Sequence, residues 1–135
     1  MARGLPLDVA WRRRIPFAIL RSGEKQLVEE IYELSRKFPH EERYALTAQL
    51  RRAAISIPSN IAEGARRKRR KAYLNHLDLA LGSQGEVDAQ IELGKRLRFC
   101  TPADHVRVQT RVDRIGRMLN GLINSLQPSA RFWEE

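Results

Sequence analysis

The sequence predicts an all-α protein: an antiparallel, up-and-down four-helix bundle whose second helix is kinked near Pro58. Three observations lead there. Apolar residues recur at steps of three and four in four successive segments, the spacing that puts them on one face of a helix. No segment alternates apolar and polar residues as a half-buried strand does. The breaks between segments are short and marked by proline, glycine or capping residues, which suits antiparallel neighbours. The 135 residues divide into a flexible basic arm over 1–15, a bundle over 16–127 and a tail over 128–135. A chain of this length buries a core without metal or disulfide staples.

Residues 1–15 contain Gly4 and Pro6 and have no sustained periodicity, with Trp11 as an anchor for the arm or an unpinned residue of a loose tail. The first helix covers 23–37 and extends back toward Phe17 at its longest. Leu27, Ile31, Leu34 and Phe38 form its stripe, while Glu29, Glu30, Glu33 and Lys37 lie outside it. Phe38-Pro39 ends it, because proline disfavours helical geometry in the residue before it.

Pro39, Glu41 and Glu42 suit the first turn of a second helix over 41–64. Leu46, Leu50, Ala53/Ala54, Ile57 and Ile61 stay in phase through Pro58, so the spacing predicts one kinked helix. A break at 56–59, with Ser59 capping a new turn, is the alternative. A third helix fills 67–98, burying Tyr73, Leu77, Ala80/Leu81, Gln84, Val87 and Ile91. Gly82 and Gly85 at its centre predict close approach by Ala53, Ala54, Ser56 and Ser59 of helix two. Thr101-Pro102-Ala103-Asp104 starts the fourth helix with cap chemistry. Val108, Val112, Ile115, Leu119, Leu122 and Leu126 then form a heptad seam up to Gln127-Pro128.

Lys and Arg outnumber Asp and Glu 25 to 16, for a net charge of +9. Such an excess points to a polyanionic partner without choosing among nucleic acid, an anionic membrane surface and an acidic protein. The single cysteine, Cys100, rules out an intramolecular disulfide. The apolar run 15–20 after Arg12, Arg13 and Arg14 is too short for a signal peptide and lacks a small-residue cleavage site. No stretch has the roughly 20 apolar residues of a membrane span. A cytoplasmic, soluble protein without membrane contact is the expectation.

Arg66, Arg67, Lys68, Arg69, Arg70 and Lys71 are six consecutive cations and the strongest functional candidates. At helical spacing they spread over about one and a half turns. Cations at a helix N-terminus are electrostatically unfavourable, which favours phosphate binding over a merely solvated loop and helix start. Arg107, Arg111, Arg114 and Arg117 form a second basic stripe, which Asp104 and Asp113 are placed to neutralise in part. Tyr32, Tyr44 and Tyr73 read as core or interface residues, so recognition is phosphate-led, salt-sensitive and poorly sequence-specific.

Asn60 and Glu63, with Ser83 and Glu86, read as a structural polar pocket between the helices. The carboxylate pair also admits acid–base chemistry, the weakest of the functional readings. His40, His76 and His105 lack partners at metal-ligand spacing. No catalytic triad or phosphate-binding glycine loop is present. The expectation is therefore a nonenzymatic protein with no metal or cofactor.

Residues 38–64, FPHEERYALTAQLRRAAISIPSNIAEG, and 73–97, YLNHLDLALGSQGEVDAQIELGKRL, resemble the small bacterial four-helix-bundle proteins encoded by intervening sequences in 23S rRNA genes. The likeness spans roughly 25–125. It departs in the first helix, where FAILRSGEKQLVEE stands in place of a Trp-containing opening, and after EG, where the run is more basic than the family requires. The resemblance implies an antiparallel bundle that assembles as a homopentamer. It also implies similarity in fold to the accessory variability determinant of diversity-generating retroelements, which works with a reverse transcriptase and RNA. The sequence thus predicts a self-assembling bundle that binds nucleic acid, RNA more than DNA, as an accessory subunit of a reverse-transcriptase or other ribonucleoprotein complex. A protein-binding scaffold without nucleic-acid contact is the alternative.

Overall fold

The computed structural model describes residues 17–127, with side chains from residue 23 onward. The arm over 1–15 and the tail over 128–135 lie outside the described residues. Four α-helices follow in order: α1 (Phe17–Arg36), α2 (Leu46–Ala65), α3 (Arg70–Arg96) and α4 (Pro102–Leu126). A 3₁₀ turn at His40–Glu42 joins α1 to α2. There is no strand among the described residues. Packing runs around a square, α1 on α2, α2 on α3, α3 on α4 and α4 on α1, which is the predicted up-and-down bundle. No described helix is long and apolar enough to cross a membrane.

The stripe of α1 is buried as its spacing predicts, with Leu27, Ile31, Leu34 and Phe38 all in the core. The start of α2 differs from the expectation at 41. Pro39 opens the 3₁₀ turn, and Ala45 adopts φ −115°, ψ −109°, outside helical geometry, so the helix begins only at Leu46. Glu42 still serves the helix N-terminus, because the Leu46 amide donates to its Oε2 at 3.2 Å.

Helix α2 then runs unbroken through Pro58, which excludes the break at 56–59. Proline supplies no amide to the carbonyl four residues earlier, a cost of about 3 kcal/mol in a helix interior. Side chains donate to carbonyls around the gap instead. Ser56 Oγ bonds Ala53 O at 2.8 Å, Ser59 Oγ bonds Ile55 O at 2.9 Å and Asn60 Nδ2 bonds Ser56 O at 2.9 Å. Ile57 and Ile61, buried on either side, contribute about 1.5–3 kcal/mol each and hold the proline in the helix.

Helix α3 is shorter at both ends than the 67–98 expected. Arg69 is extended (φ −99°, ψ 133°), so the helix starts at Arg70. At the other end Arg98 takes φ 63°. The Phe99 amide reaches Gly94 O at 2.9 Å and the Arg98 amide reaches Lys95 O at 3.0 Å, a Schellman closure of the helix.

The central glycines do not do what their spacing suggests. A Cβ at Gly82 or Gly85 would meet nothing within 4 Å. The buried phase of α3 is Tyr73, Leu77, Ala80, Ser83, Val87, Ile91 and Gly94. That phase turns Ser83 inward, where it hydrogen-bonds with Ser56 Oγ at 2.5 Å, and both glycines outward. Close approach occurs elsewhere. A Cβ on Gly64 would lie 2.6 Å from His76 Cβ, one on Gly94 2.9 Å from Phe38 Cζ, and one on Gly116 2.6 Å from Gln84 Nε2. Gln84 lies across Gly116 and donates to Val112 O at 3.0 Å.

Thr101 caps α4 as predicted, accepting from the Asp104 amide at 3.1 Å, with Pro102 in the first turn. The seam of α4 is buried from Val108 to Leu119, but Ile123 then replaces Leu122 in it. A straight helix drifts about 20° per heptad against a strict seven-residue repeat, and near the end of α4 that drift selects the neighbouring residue.

Candidate nucleic-acid interface

The chain reverses between α2 and α3 because Gly64 lets Tyr73 and His76 pack directly against the end of α2. The Arg66 amide bonds back to Glu63 O at 3.2 Å, and the Arg67 amide to Gly64 O at 3.0 Å. The basic run therefore does not wind around a helix. Arg66, Arg67, Lys68 and Arg69 form the connection, and Arg70 and Lys71 begin α3. All six are exposed. Arg67 pairs with Glu63 at 2.8 Å. Among the described residues no carboxylate forms an ion pair with Arg66, Lys68, Arg69, Arg70 or Lys71.

The N-terminus of α3 has no side-chain cap and no acidic residue in its first turn. Its first-turn amides have no intrahelical acceptor, and its positive dipole end lies beside Arg69, Arg70 and Lys71, where a cation costs about 0.3–1 kcal/mol, whereas Arg66, the C-cap of α2, lies at a C-terminus that favours it. Beneath them, Tyr73 is fully buried. Burial, and then the nearby Glu24 carboxylate, push its phenol up to about 12. Burial likewise raises the Glu24 carboxyl, whose Oε2 accepts no hydrogen bond among the described residues.

The four arginines of α4 do not share one role. Arg111 is half-buried and ties α4 to α1, its Nε donating to Glu30 Oε1 at 2.8 Å and its Nη1 to Gln26 Oε1 at 2.7 Å. Arg107, Arg114 and Arg117 are exposed. The expected neutralisers are engaged elsewhere. Asp104 pairs with Lys37 at 2.9 Å, and Asp113 accepts from Gln109 Nε2 at 2.8 Å.

The polar pocket expected from Asn60, Glu63, Ser83 and Glu86 is not assembled as one unit. Asn60 Oδ1 lies 3.2 Å from His76 Nδ1, and Ser83 bonds Ser56, whereas Glu63 and Glu86 are both exposed. The sequence left His76 alone because its partner is on another helix. His105 is buried, its Nε2 lying 3.4 Å from Glu92 Oε2. Cys100 is half-buried, and burial raises its thiol. No group of three or more His, Cys, Asp or Glu among the described residues could hold a metal ion.

The tyrosines separate. Tyr73 is core, but Tyr44 is 83% exposed, with the Arg43 guanidinium 4.6 Å from its ring centroid. Arg51 stands 4.5 Å over the half-buried ring of Tyr32. One signal was present in the sequence: Tyr44 precedes the regular apolar steps of α2 instead of taking part in them.

A small, all-helical, antiparallel bundle with a cationic connection between its second and third helices is the class of protein these features define. The family model for the 23S rRNA-intervening sequence protein matches residues 22–121, and the chain belongs to that family. Among solved structures, it is similar to a protein of unknown function from the S23 ribosomal protein family of Bacteroides thetaiotaomicron. The two are 22% identical, with a TM-score of 0.72 over 77% of this chain and 97% of that one, a likeness of fold. No curated protein matches.

Proposed function

We propose that this chain is a nonenzymatic, self-assembling bundle that binds nucleic acid through phosphate contacts, RNA in preference to DNA. The observation that carries this is the run at 66–71: six exposed cations between the C-terminus of α2 and the uncapped N-terminus of α3, five of them without a carboxylate partner among the described residues. A polyphosphate supplies the missing counter-charge, and the first-turn amides of α3 add donors to it. Arg107, Arg114 and Arg117 assist. Arg111 contributes less, because Glu30 already holds it. RNA is favoured by the family's tie to 23S rRNA. We also propose the homopentamer as the working form, and a reverse transcriptase or other ribonucleoprotein of the cytoplasm as its partner. Support for self-assembly comes from α3 and its C-cap, where Leu79, Leu93 and Leu97 are exposed and the open sides of Gly82 and Gly85 leave room for another chain. The same apolar exposure favours the second reading, a protein-binding scaffold.

A mobility-shift titration of RNA and DNA across salt tests the first reading. Affinity should fall steeply as salt rises. Replacing Arg66, Arg67, Arg69 and Arg70 together by Gln should lower the log–log salt slope by about 3 while the helical circular-dichroism signal stays intact. No shift by wild type at low salt overturns nucleic-acid binding. Light scattering that gives a monomer overturns the pentamer.

A further inference from the structure

We propose that the α1–α2 side of the bundle carries a second contact surface, an arginine–tyrosine platform of Arg43, Tyr44, Arg51 and Tyr32 that stacks the bases of a single-stranded polynucleotide. This rests on the reading of the chain as nucleic-acid-binding and assigns base contacts to residues outside the basic run.

Tyr44 lies between the 3₁₀ turn and α2 and is 83% exposed, so burial does not account for an aromatic ring there. The Arg43 guanidinium lies over the ring at 4.6 Å. The second pair is held more firmly. Arg51 lies 4.5 Å over Tyr32, and its Nε donates to Ser35 Oγ at 2.8 Å. None of Arg36, Arg43, Arg51 and Arg52 forms an ion pair among the described residues. Of the nearby acids, Glu42 accepts from the Leu46 amide, while Glu33 and Glu41 are exposed.

A guanidinium stacked on an aromatic ring keeps its N–H edge available for phosphate oxygens. An exposed aromatic ring is a stacking surface for a base, and stacking of this kind tolerates any sequence. Duplexes keep their bases stacked inside and cannot use it, so the platform selects single strands. Arg51 is five residues beyond Leu46, which places the two pairs on the order of 10 Å apart along α2, within the reach of a few nucleotides. The basic run is at the opposite end of α2, about 30 Å away for a 20-residue helix. A strand held at both places runs the length of the bundle.

Fluorescence anisotropy on the full chain tests this with four probes of equal length: single-stranded RNA, single-stranded DNA, duplex RNA and an abasic single strand. Wild type should bind the base-bearing strands about tenfold more tightly than the abasic strand. Tyr44→Ala should abolish that ratio, and Tyr44→Phe should keep it, since stacking needs the ring and not the hydroxyl. The RNA and DNA arms identify which polynucleotide is preferred. Equal affinity for base-bearing and abasic strands, or a ratio unchanged in Tyr44→Ala, overturns the platform. The variant with Gln at 66, 67, 69 and 70 separates the two readings. If it binds as wild type does with the base-dependent ratio intact, the phosphate site fails and the platform stands. If it loses affinity while wild type shows no base dependence, the platform alone fails. If wild type binds no polynucleotide, both fail.

Discussion

The two ends of α3 are built on opposite principles. At its C-terminus nearly every local device favours the fold. Lys95 and Arg96 complement the dipole in the last turn, and the backbone closes with Schellman bonds at Arg98 and Phe99. Phe99 packs against Phe38 with ring centroids 5.6 Å apart, and Phe38 in turn covers Gly94. Thr101 caps the next helix, and Lys37 reaches Asp104 across the junction. Even the strained backbone of Arg98, which costs about 1–2 kcal/mol in a residue with a Cβ, is outweighed by what surrounds it. At the N-terminus of α3 the devices are missing or reversed. There is no cap, no carboxylate in the first turn, and a run of cations at the positive end of the dipole. The close packing of Gly64 on Tyr73 explains why the chain turns there, and Arg66 and Arg67 suit the C-terminus of α2, yet no carboxylate among the described residues forms an ion pair with Lys68, Arg69, Arg70 or Lys71. Residues that break local rules without a structural return are where function is to be sought.

Phe38→Ala tests the contrast with the largest effect. It empties the contact over Gly94 and beside Phe99, and urea unfolding should show a loss of about 3–5 kcal/mol. Nucleic-acid affinity per folded molecule should stay the same. A loss of binding by the folded variant would join the two ends into one functional unit.

Arg69→Asp is expected to act in the reverse sense at the other end. Arg69 already has the extended geometry of an N-cap residue, so a capping carboxylate should stabilise the protein by about 1 kcal/mol, read in the same urea experiment. Affinity for RNA should fall several-fold. A variant that is less stable would show that the cations serve the fold.

The smallest effect concerns pH. Hydrogen bonds from Lys37, and then from Thr101, hold the Asp104 carboxyl below its ordinary range. A depressed folded-state value means that this contribution is fully present above the ordinary aspartate range and is lost as pH falls through the folded value. Thermal melts from pH 6 down to pH 2 should show Asp104→Asn approaching wild type at the acid end and separating from it toward pH 6. A constant gap would remove the ion pair as the cause.

Much of the fold was legible because its signals are local. The apolar stripes of α1 and α4 and the Thr101-Pro102 start follow from residues a few positions apart, and each formed where the spacing put it, within a residue or two. The phase of α3 was harder. Two glycines at a helix centre indicate that one side is small, but not whether that side faces a neighbour or solvent, and Gly82 and Gly85 face solvent. The basic run was visible as a run, but its place in a connection instead of around a helix depended on where α3 began. Arg111 looked equivalent to Arg107, Arg114 and Arg117, since its partner Glu30 lies 81 positions earlier in the chain.

Local signals in the chain set the number and order of the helices and the position of the charge cluster, and the in-phase stripe through Pro58 pointed to one helix while leaving a break at 56–59 open. Periodicity, caps and composition act over one or two turns, and a chain carries them wherever it folds. The tertiary structure decided which small residues touch, which arginines are already occupied, and which polar groups share a site. It brought Ser56 to Ser83, Asn60 to His76 and Glu24 to Tyr73, and it left Tyr44 exposed. Those outcomes depend on the rotational phase of each helix against its neighbours. A shift of one residue turns a side chain by about 100°, and only the packing of all four helices together sets that angle.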